Sequence, residues 1–136
     1  MATLTVPAKK EYINQLLDLL HQQLDRVSCP LKISLELELA VEEAFVNIAT
    51  HAYVKEGGTA TFDCEVEPDA GLVILRFTDQ GLPFNPLGKK DPDTALSADQ
   101  RPIGGLGIFL IKKTMDKCAY TYHQGANVFT LTKKYK

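Results

Sequence analysis

The spacing of apolar residues changes period several times along the chain, and each change marks an element. ATLTVPA, residues 2–8, alternates and stops at Pro7, as a short edge strand would. From residue 9 to 28, Ile13, Leu16, Leu17, Leu20, Leu24 and Val27 recur at helical spacing with Lys, Asp and Gln between them, which predicts an amphipathic helix. Ser28-Cys29-Pro30 breaks it. A second helix is expected from about Leu31 to Ala52, with Leu37, Val41, Ala44, Phe45, Ile48 and Ala52 on its buried face and Gly57 and Gly58 ending the segment.

At Thr59 the period falls to two: Ala60, Phe62, Cys64 and Val66 alternate with Thr61, Asp63 and Glu65, the pattern of a strand with one wet face. PDAG, residues 68–71, is a turn signal, and LVILRFTD, residues 72–79, follows as a more buried strand, so the pair predicts a hairpin. Residues 80–104 carry four of the seven prolines and no period. A stretch that long in a small domain is expected to be a lid or a disordered loop. Helical spacing returns in LGIFLIKKTMD, residues 106–116, and CAYTYHQ and NVFTLTK read as two last strands joined around Gly125. There is no internal repeat and no linker. Hairpin strands pair antiparallel and grouped helices cover one face of the sheet, which gives an α+β two-layer sandwich.

Composition narrows the class. With 136 residues, 45% hydrophobic and 24% charged, one globular domain is expected over residues 1–136. A formal net charge of -2 argues against a nucleic-acid footprint, and the closing KKYK reads as a solvated tail. No apolar run approaches the ~20 residues that span a bilayer, and MATLTVPAKK lacks the apolar core of a signal peptide, so a cytoplasmic location and no membrane are expected. Cys29, Cys64 and Cys118 are widely spaced, with no Cys-x-x-Cys pair and no His at zinc-ligand spacing, and read as structural thiols.

Three stretches carry chemistry. In VEEAFVNIATHAY, residues 41–53, helical spacing puts Glu43, Asn47 and Thr50 on one face while Val41, Phe45 and Ile48 face the core. Such a stripe is either a solvated face or a site. In TDQGLPFNP, residues 78–86, Asp79 at a strand end can accept from an exocyclic amine, Gly81 lets the backbone approach a flat ligand, and Pro83 stiffens the exit. A plain turn would use the same residue types. In PIGGLGIFLI, residues 102–111, glycines 104, 105 and 107 precede and open a helix, where backbone amides and the positive end of the dipole suit phosphate oxygens. There is no Lys-Ser/Thr of a P-loop and no βαβ context for a Rossmann site.

In order and spacing, EAFVN (43–47), DQGLPFNP (79–86) and GGLGIFLI (104–111) resemble the N, G1 and G2 boxes of the GHKL ATPases. E-x-x-x-N-x-x-x-H-A-Y with D-x-G-x-P-F-N-P is similar to the small stand-alone branch of anti-sigma factor serine kinases. The resemblance implies the Bergerat fold, with a mixed, mainly antiparallel sheet, and ATP and Mg²⁺ as cofactors. It implies that Asn47 gives its side-chain oxygen to Mg²⁺ and that Glu43 orients or deprotonates the attacking hydroxyl. Glu42, about 100° away around the helix, is expected to be an exposed charge. The same resemblance has Asp79 accept from the adenine amino group, with Gly81 and Pro83 shaping that pocket. The amides of Gly105, Leu106, Gly107 and Ile108 would hold the phosphates. Residues 84–104 would be the ATP lid, with Gly104 and Gly105 as hinges. Arg101, Lys89 and Lys90 would either reach phosphates or remain solvated.

The chain departs from the resembled pattern at the final box. Ala126 and Asn127 stand where a Gly-Thr pair is usual, and either Asn127 or Thr130 would have to replace that Thr. His51 and Tyr53 are expected to cap and pack the helix end. The implied function is a protein serine/threonine kinase that phosphorylates a small antagonist protein and binds a sigma factor or similar regulator, with a homodimer through the first strand and helix 9–28 as a further implication. The alternative is a nucleotide-dependent binding module without phosphoryl transfer. A histidine kinase would need a phosphoacceptor helix, for which only His21 stands in place, and a gyrase-like or chaperone-like motor would need a transducer domain.

Overall fold

A computed structural model describes residues 1–53, 57–88 and 106–136. Lys89, Lys90, Arg101, Gly104, Gly105 and most of the expected lid lie outside the described residues. The elements are β1 (Ala2–Pro7), α1 (Ile13–Leu24), α2 (Leu31–His51), β2 (Thr59–Glu67), β3 (Leu72–Asp79), α3 (Leu106–Thr114), β4 (Lys117–His123) and β5 (Ala126–Lys134), with short 3₁₀ turns at Lys10–Tyr12 and Pro86–Gly88.

The strands form one sheet in the order β1-β2-β3-β5-β4. All four pairings are antiparallel, so the parallel component implied for a mixed sheet is not seen among the described residues. Period-two patterning decides the faces. Ala60, Phe62 and Cys64 of β2, Val73, Leu75, Phe77 and Asp79 of β3, and Asn127, Phe129 and Leu131 of β5 are buried, while their alternates are mostly half-exposed. Phe62 and Phe77 are direct cross-strand partners and stack with centroids 5.1 Å apart. Gln124 and Gly125 both take positive φ, 50° and 79°, as the two-residue turn between β4 and β5 requires.

The helices cover the buried face. α2 supplies Leu37, Ala40, Val41, Ala44, Phe45 and Ile48 to the core, and α1 supplies Leu16, Leu20 and Leu24. From α3 come Ile108 and Ile111, followed by Met115. This is the two-layer α+β sandwich expected from the pattern. The first helix is shorter than its apolar spacing suggests. Its expected start is tied to strand ends by Ala8 N–H to Gly58 O (3.0 Å) and Lys9 N–H to Pro7 O (2.8 Å), leaving residues 10–12 to form the 3₁₀ turn. Its end tightens through Arg26 N–H to Gln23 O and Val27 N–H to Leu24 O, three-residue bonds that close the last turn before Pro30. At the far end of α3, Lys133 Nζ donates to Thr114 O at 2.5 Å and satisfies a terminal carbonyl.

Candidate nucleotide site

The long helix and the ends of the central strands leave a cleft between them. Its helix wall is Ala44, Asn47, Ile48, His51 and Ala52 of α2 and the residue after it. The sheet wall is Phe77 and Asp79 of β3, Asn127 and Phe129 of β5, and Tyr120 of β4. Leu82, Phe84 and Pro86, from the segment leaving β3, close the rim. Most of this lining is apolar and a few polar groups converge in it, the usual make-up of a small-ligand site.

Asp79 is the last residue of β3 and is buried. Its Oδ1 accepts from Gly81 N–H at 2.9 Å and from Asn127 Nδ2 at 2.9 Å. Among the described residues Oδ2 takes no hydrogen bond. Gly81 is required by a close approach: a β carbon there would lie 1.9 Å from Ala52 O and 2.4 Å from Ala52 C, backbone atoms at the end of α2. Leu82 N–H donates to that same Ala52 carbonyl at 2.7 Å. The backbone after Asp79 is therefore pinned against the end of the helix that carries Asn47.

On α2, Asn47 lines the cleft and Glu43 stands one turn earlier, both half-buried. Neither side chain has a hydrogen-bond or ionic partner among the described residues. Glu42 and Thr50 are exposed, so the stripe divides into two half-buried groups and a solvated one. Burial lifts the Glu43 carboxyl above the usual carboxylate range, and the charge of Glu42 adds to the rise. The first turn of α3 comes up against it: a β carbon on Gly107 would lie 2.0 Å from Glu43 Oε2. Glycine at that position is what lets a helix N-terminus and a carboxylate share the spot.

The structure thus brings Asn47 and Asp79 to one cleft, places Gly81 behind it on Asp79 and the end of α2, and sets Glu43 beside Gly107. Leu106 opens α3, and the Ile108 side chain is buried in the core, so at position 108 only the backbone is available to a ligand site. Pro83 is exposed and does not line the cleft. Of the two alternatives for the final box, Thr130 lies on the opposite face of β5 from Asn127, which excludes it. Asn127 is buried and reaches Asp79 directly.

Other residues hold the end of α2 and the edge strand to the cleft. His51 stacks on Phe84 with centroids 5.1 Å apart and an interplanar angle of 20°. Tyr53 OH donates to Thr59 O at 2.5 Å and accepts from Gln80 N–H at 3.0 Å, bracing the end of α2 against β2 and the exit of β3. Tyr120, from the edge strand, donates its hydroxyl to Asn127 Oδ1. The only sequence signals for these residues were that His51 and Tyr53 fall within the helix-end motif and that Phe84 lies within DQGLPFNP.

A five-stranded antiparallel sheet, helices on one face, and a cleft between the long helix and the strand ends define the class as an α+β two-layer sandwich with a site at its strand ends. The chain belongs to the histidine kinase-like ATPase domain family, whose profile matches residues 6–133. This bears out the resemblance to the GHKL ATPases, and ATP is the nucleotide that membership implies. The serine-protein kinase RsbW of Listeria monocytogenes is 31% identical over 131 residues, covering 93% of this chain and 82% of the relative. RsbW of Halalkalibacterium halodurans is 32% identical over 135 residues, covering 96% and 80%. The serine/threonine-protein kinase BtrW of Bordetella bronchiseptica is 32% identical over 108 residues, covering 79% and 74%. Among solved structures, the RsbU and RsbW domains of a Mycobacterium tuberculosis protein share the fold, with a TM-score of 0.64 at 14% identity over 98% of this chain and 32% of that one.

Proposed function

We propose that the chain is an ATP- and Mg²⁺-dependent protein serine/threonine kinase of the anti-sigma factor type, which phosphorylates a small antagonist protein and binds a sigma factor or similar regulator. Relatives at about this level of identity that carry the name serine-protein kinase support the activity. The observation that carries the reading is the pair Glu43 and Asn47, one helical turn apart, both without a partner among the described residues, with Gly107 against the first and the Asp79 cleft beside the second.

In this reading Asp79 Oδ2 accepts from the adenine amino group, Gly81 keeps the backbone close to the base, and Pro83 stiffens the chain as it leaves. The amides of Gly105, Leu106, Gly107 and Ile108 hold the phosphates at the start of α3. Residues 84–104 serve as lid, and residues 1–136 act as one domain. Glu43 accepts the proton of the attacking serine or threonine hydroxyl and aims its oxygen. Asn47 fits a Mg²⁺ ligand because its carboxamide oxygen is hard and, among the described residues, unpartnered. Among the described residues no group of three or more His, Cys, Asp or Glu could hold a metal unaided. An ion there would complete its shell with phosphate oxygens and water, as Mg²⁺ prefers. Bound, it would neutralise charge on the phosphoryl oxygens. The assembly is read as cytoplasmic, with no nucleic-acid or membrane partner and with a homodimer through β1 and α1. No helix among the described residues is long and apolar enough to cross a membrane.

Incubation of the purified chain with ATP, Mg²⁺ and its antagonist protein is expected to yield phosphoserine or phosphothreonine on the antagonist. Nucleotide-sensitive partner binding without any phosphorylation would instead mark a binding module. Asn47→Ala is expected to weaken ATP binding in Mg²⁺ by about tenfold or more, on the order of 1.4 kcal/mol, and to change little in EDTA. Equal losses in both buffers would remove Asn47 from the metal. Gly107→Ala tests the second half of the pair. Its new methyl meets the flexible end of Glu43, so the fold survives, but phosphoryl transfer is expected to fall about tenfold or more as the carboxylate swings away. Unchanged turnover would mean that the Glu43 position does not matter.

A further inference from the structure

Asn127 stands directly opposite Asp79 in the β3–β5 register, and both side chains lie on the buried face of the sheet. The orientation of its carboxamide follows from its neighbours. On one side are three acceptors: Asp79 Oδ1 at 2.9 Å, Leu82 O at 2.9 Å and Gly81 O at 3.4 Å. On the other are two donors, Phe84 N–H at 3.1 Å and the Tyr120 hydroxyl. Only the nitrogen can face the first group and only the oxygen the second, since a flipped amide would set its oxygen against a carboxylate and two carbonyls. One side chain therefore holds the strand-end carboxylate, the segment 81–84 and the edge strand in a single arrangement.

We infer that Asn127 is the positioning residue that turns Asp79 into a fixed acceptor and so sets the preference of the cleft for a base carrying an exocyclic amino group. The inference rests on the nucleotide reading above. With Gly81 N–H and Asn127 Nδ2 both on Oδ1, the remaining oxygen presents an acceptor and nothing else. An amino group satisfies it. A carbonyl at the same place on the base, as in inosine or guanine, meets it as a second acceptor and is rejected, because a buried polar group is left unpaired. No residue with a hydroxyl in place of the carboxamide could reach Asp79 and Leu82 O with donors and Phe84 N–H with an acceptor at once.

The test compares the binding of ATP and inosine triphosphate to the full chain by titration, with thermal melting as the check of fold. The wild-type chain is expected to prefer ATP by about tenfold or more. Asn127→Ala is expected to bring that ratio below about threefold, chiefly by weakening ATP while inosine triphosphate changes little. Tyr120→Phe, a milder change at the edge strand, is expected to lower the ratio about twofold or more by removing one of the two donors that hold the carboxamide oxygen. Asp79→Asn should abolish the preference as well. If Asp79→Asn abolishes it while Asn127→Ala keeps the wild-type ratio, Asn127 has no positioning role and the inference alone falls. If Asp79→Asn keeps the wild-type ratio, or the wild-type chain binds neither nucleotide, the nucleotide reading of the cleft falls too. Should Asn127→Ala fail to fold, an unaltered ratio in Tyr120→Phe overturns the inference.

Discussion

Glu43→Gln is expected to slow phosphoryl transfer to the antagonist by about 10²–10⁴-fold, the contribution of a positioned general base, while ATP affinity stays within about threefold of wild type. The substitution keeps size and polarity and removes only the ability to take a proton. Glu43 makes no protein hydrogen bond or ion pair among the described residues, so no structural contact goes with it. The pH profile supplies an independent check. Burial and Glu42 raise the Glu43 carboxyl, so the carboxylate form that the proposed base requires is lost, as pH falls, earlier than for an ordinary glutamate. The acid limb of the rate should therefore sit above the usual carboxylate range, and Glu42→Gln should move it down. Single-turnover rates of Glu43→Gln equal to wild type would end the case for a base at this position.

Gly81→Ala is expected to do the most damage to the fold around the cleft. The added methyl would sit 1.9 Å from Ala52 O, and that carbonyl cannot move aside. Ala52 N–H is bonded to Ile48 O at 2.9 Å, and Ala52 O receives Leu82 N–H at 2.7 Å. Either the last turn of α2 unwinds or residues 80–84 lift away from the sheet. Overpacking of this kind costs about 3 kcal/mol, a fall in melting temperature on the order of 10 °C. Lifting the segment also pulls Gly81 N–H from Asp79 and the Leu82 carbonyl from Asn127, so ATP binding should weaken by about tenfold or more. A melting temperature within about 2 °C of wild type, with normal affinity, would refute the close approach.

The sequence revealed elements wherever burial imposes a period. The alternation in Thr59–Glu67 and Leu72–Asp79 and the helical spacing through Leu31–His51 appear in the structure nearly at their expected bounds. The first helix shows the limit of that signal, because apolar spacing continues through residues whose backbone bonds to strand ends or closes in three-residue turns. The candidate site divides in the same way. Glu43 and Asn47 are legible because a helix puts positions four apart on one face. Asp79 and Gly81 share their residue types with a plain turn and are legible only through the longer string DQGLPFNP and its resemblance to a known box. Asn127 was visible only as a departure from a resembled motif. Its part depends on which residue faces it across β3 and β5 and on where the segment after Asp79 returns, and neither is encoded within reach of position 127. Tyr120 is a similar case, with its partner on another strand.

The order of the strands has a bearing on synthesis. β5 follows every other strand along the described chain, yet it lies inside the sheet between β3 and β4 and carries Asn127. A polypeptide leaving the ribosome can assemble β1, α1, α2 and the β2–β3 hairpin early, but β3 keeps an unpaired edge until residues 126–134 emerge. Nascent chains halted before that point should be unable to retain ATP and should be the ones that chaperones hold or proteases clear.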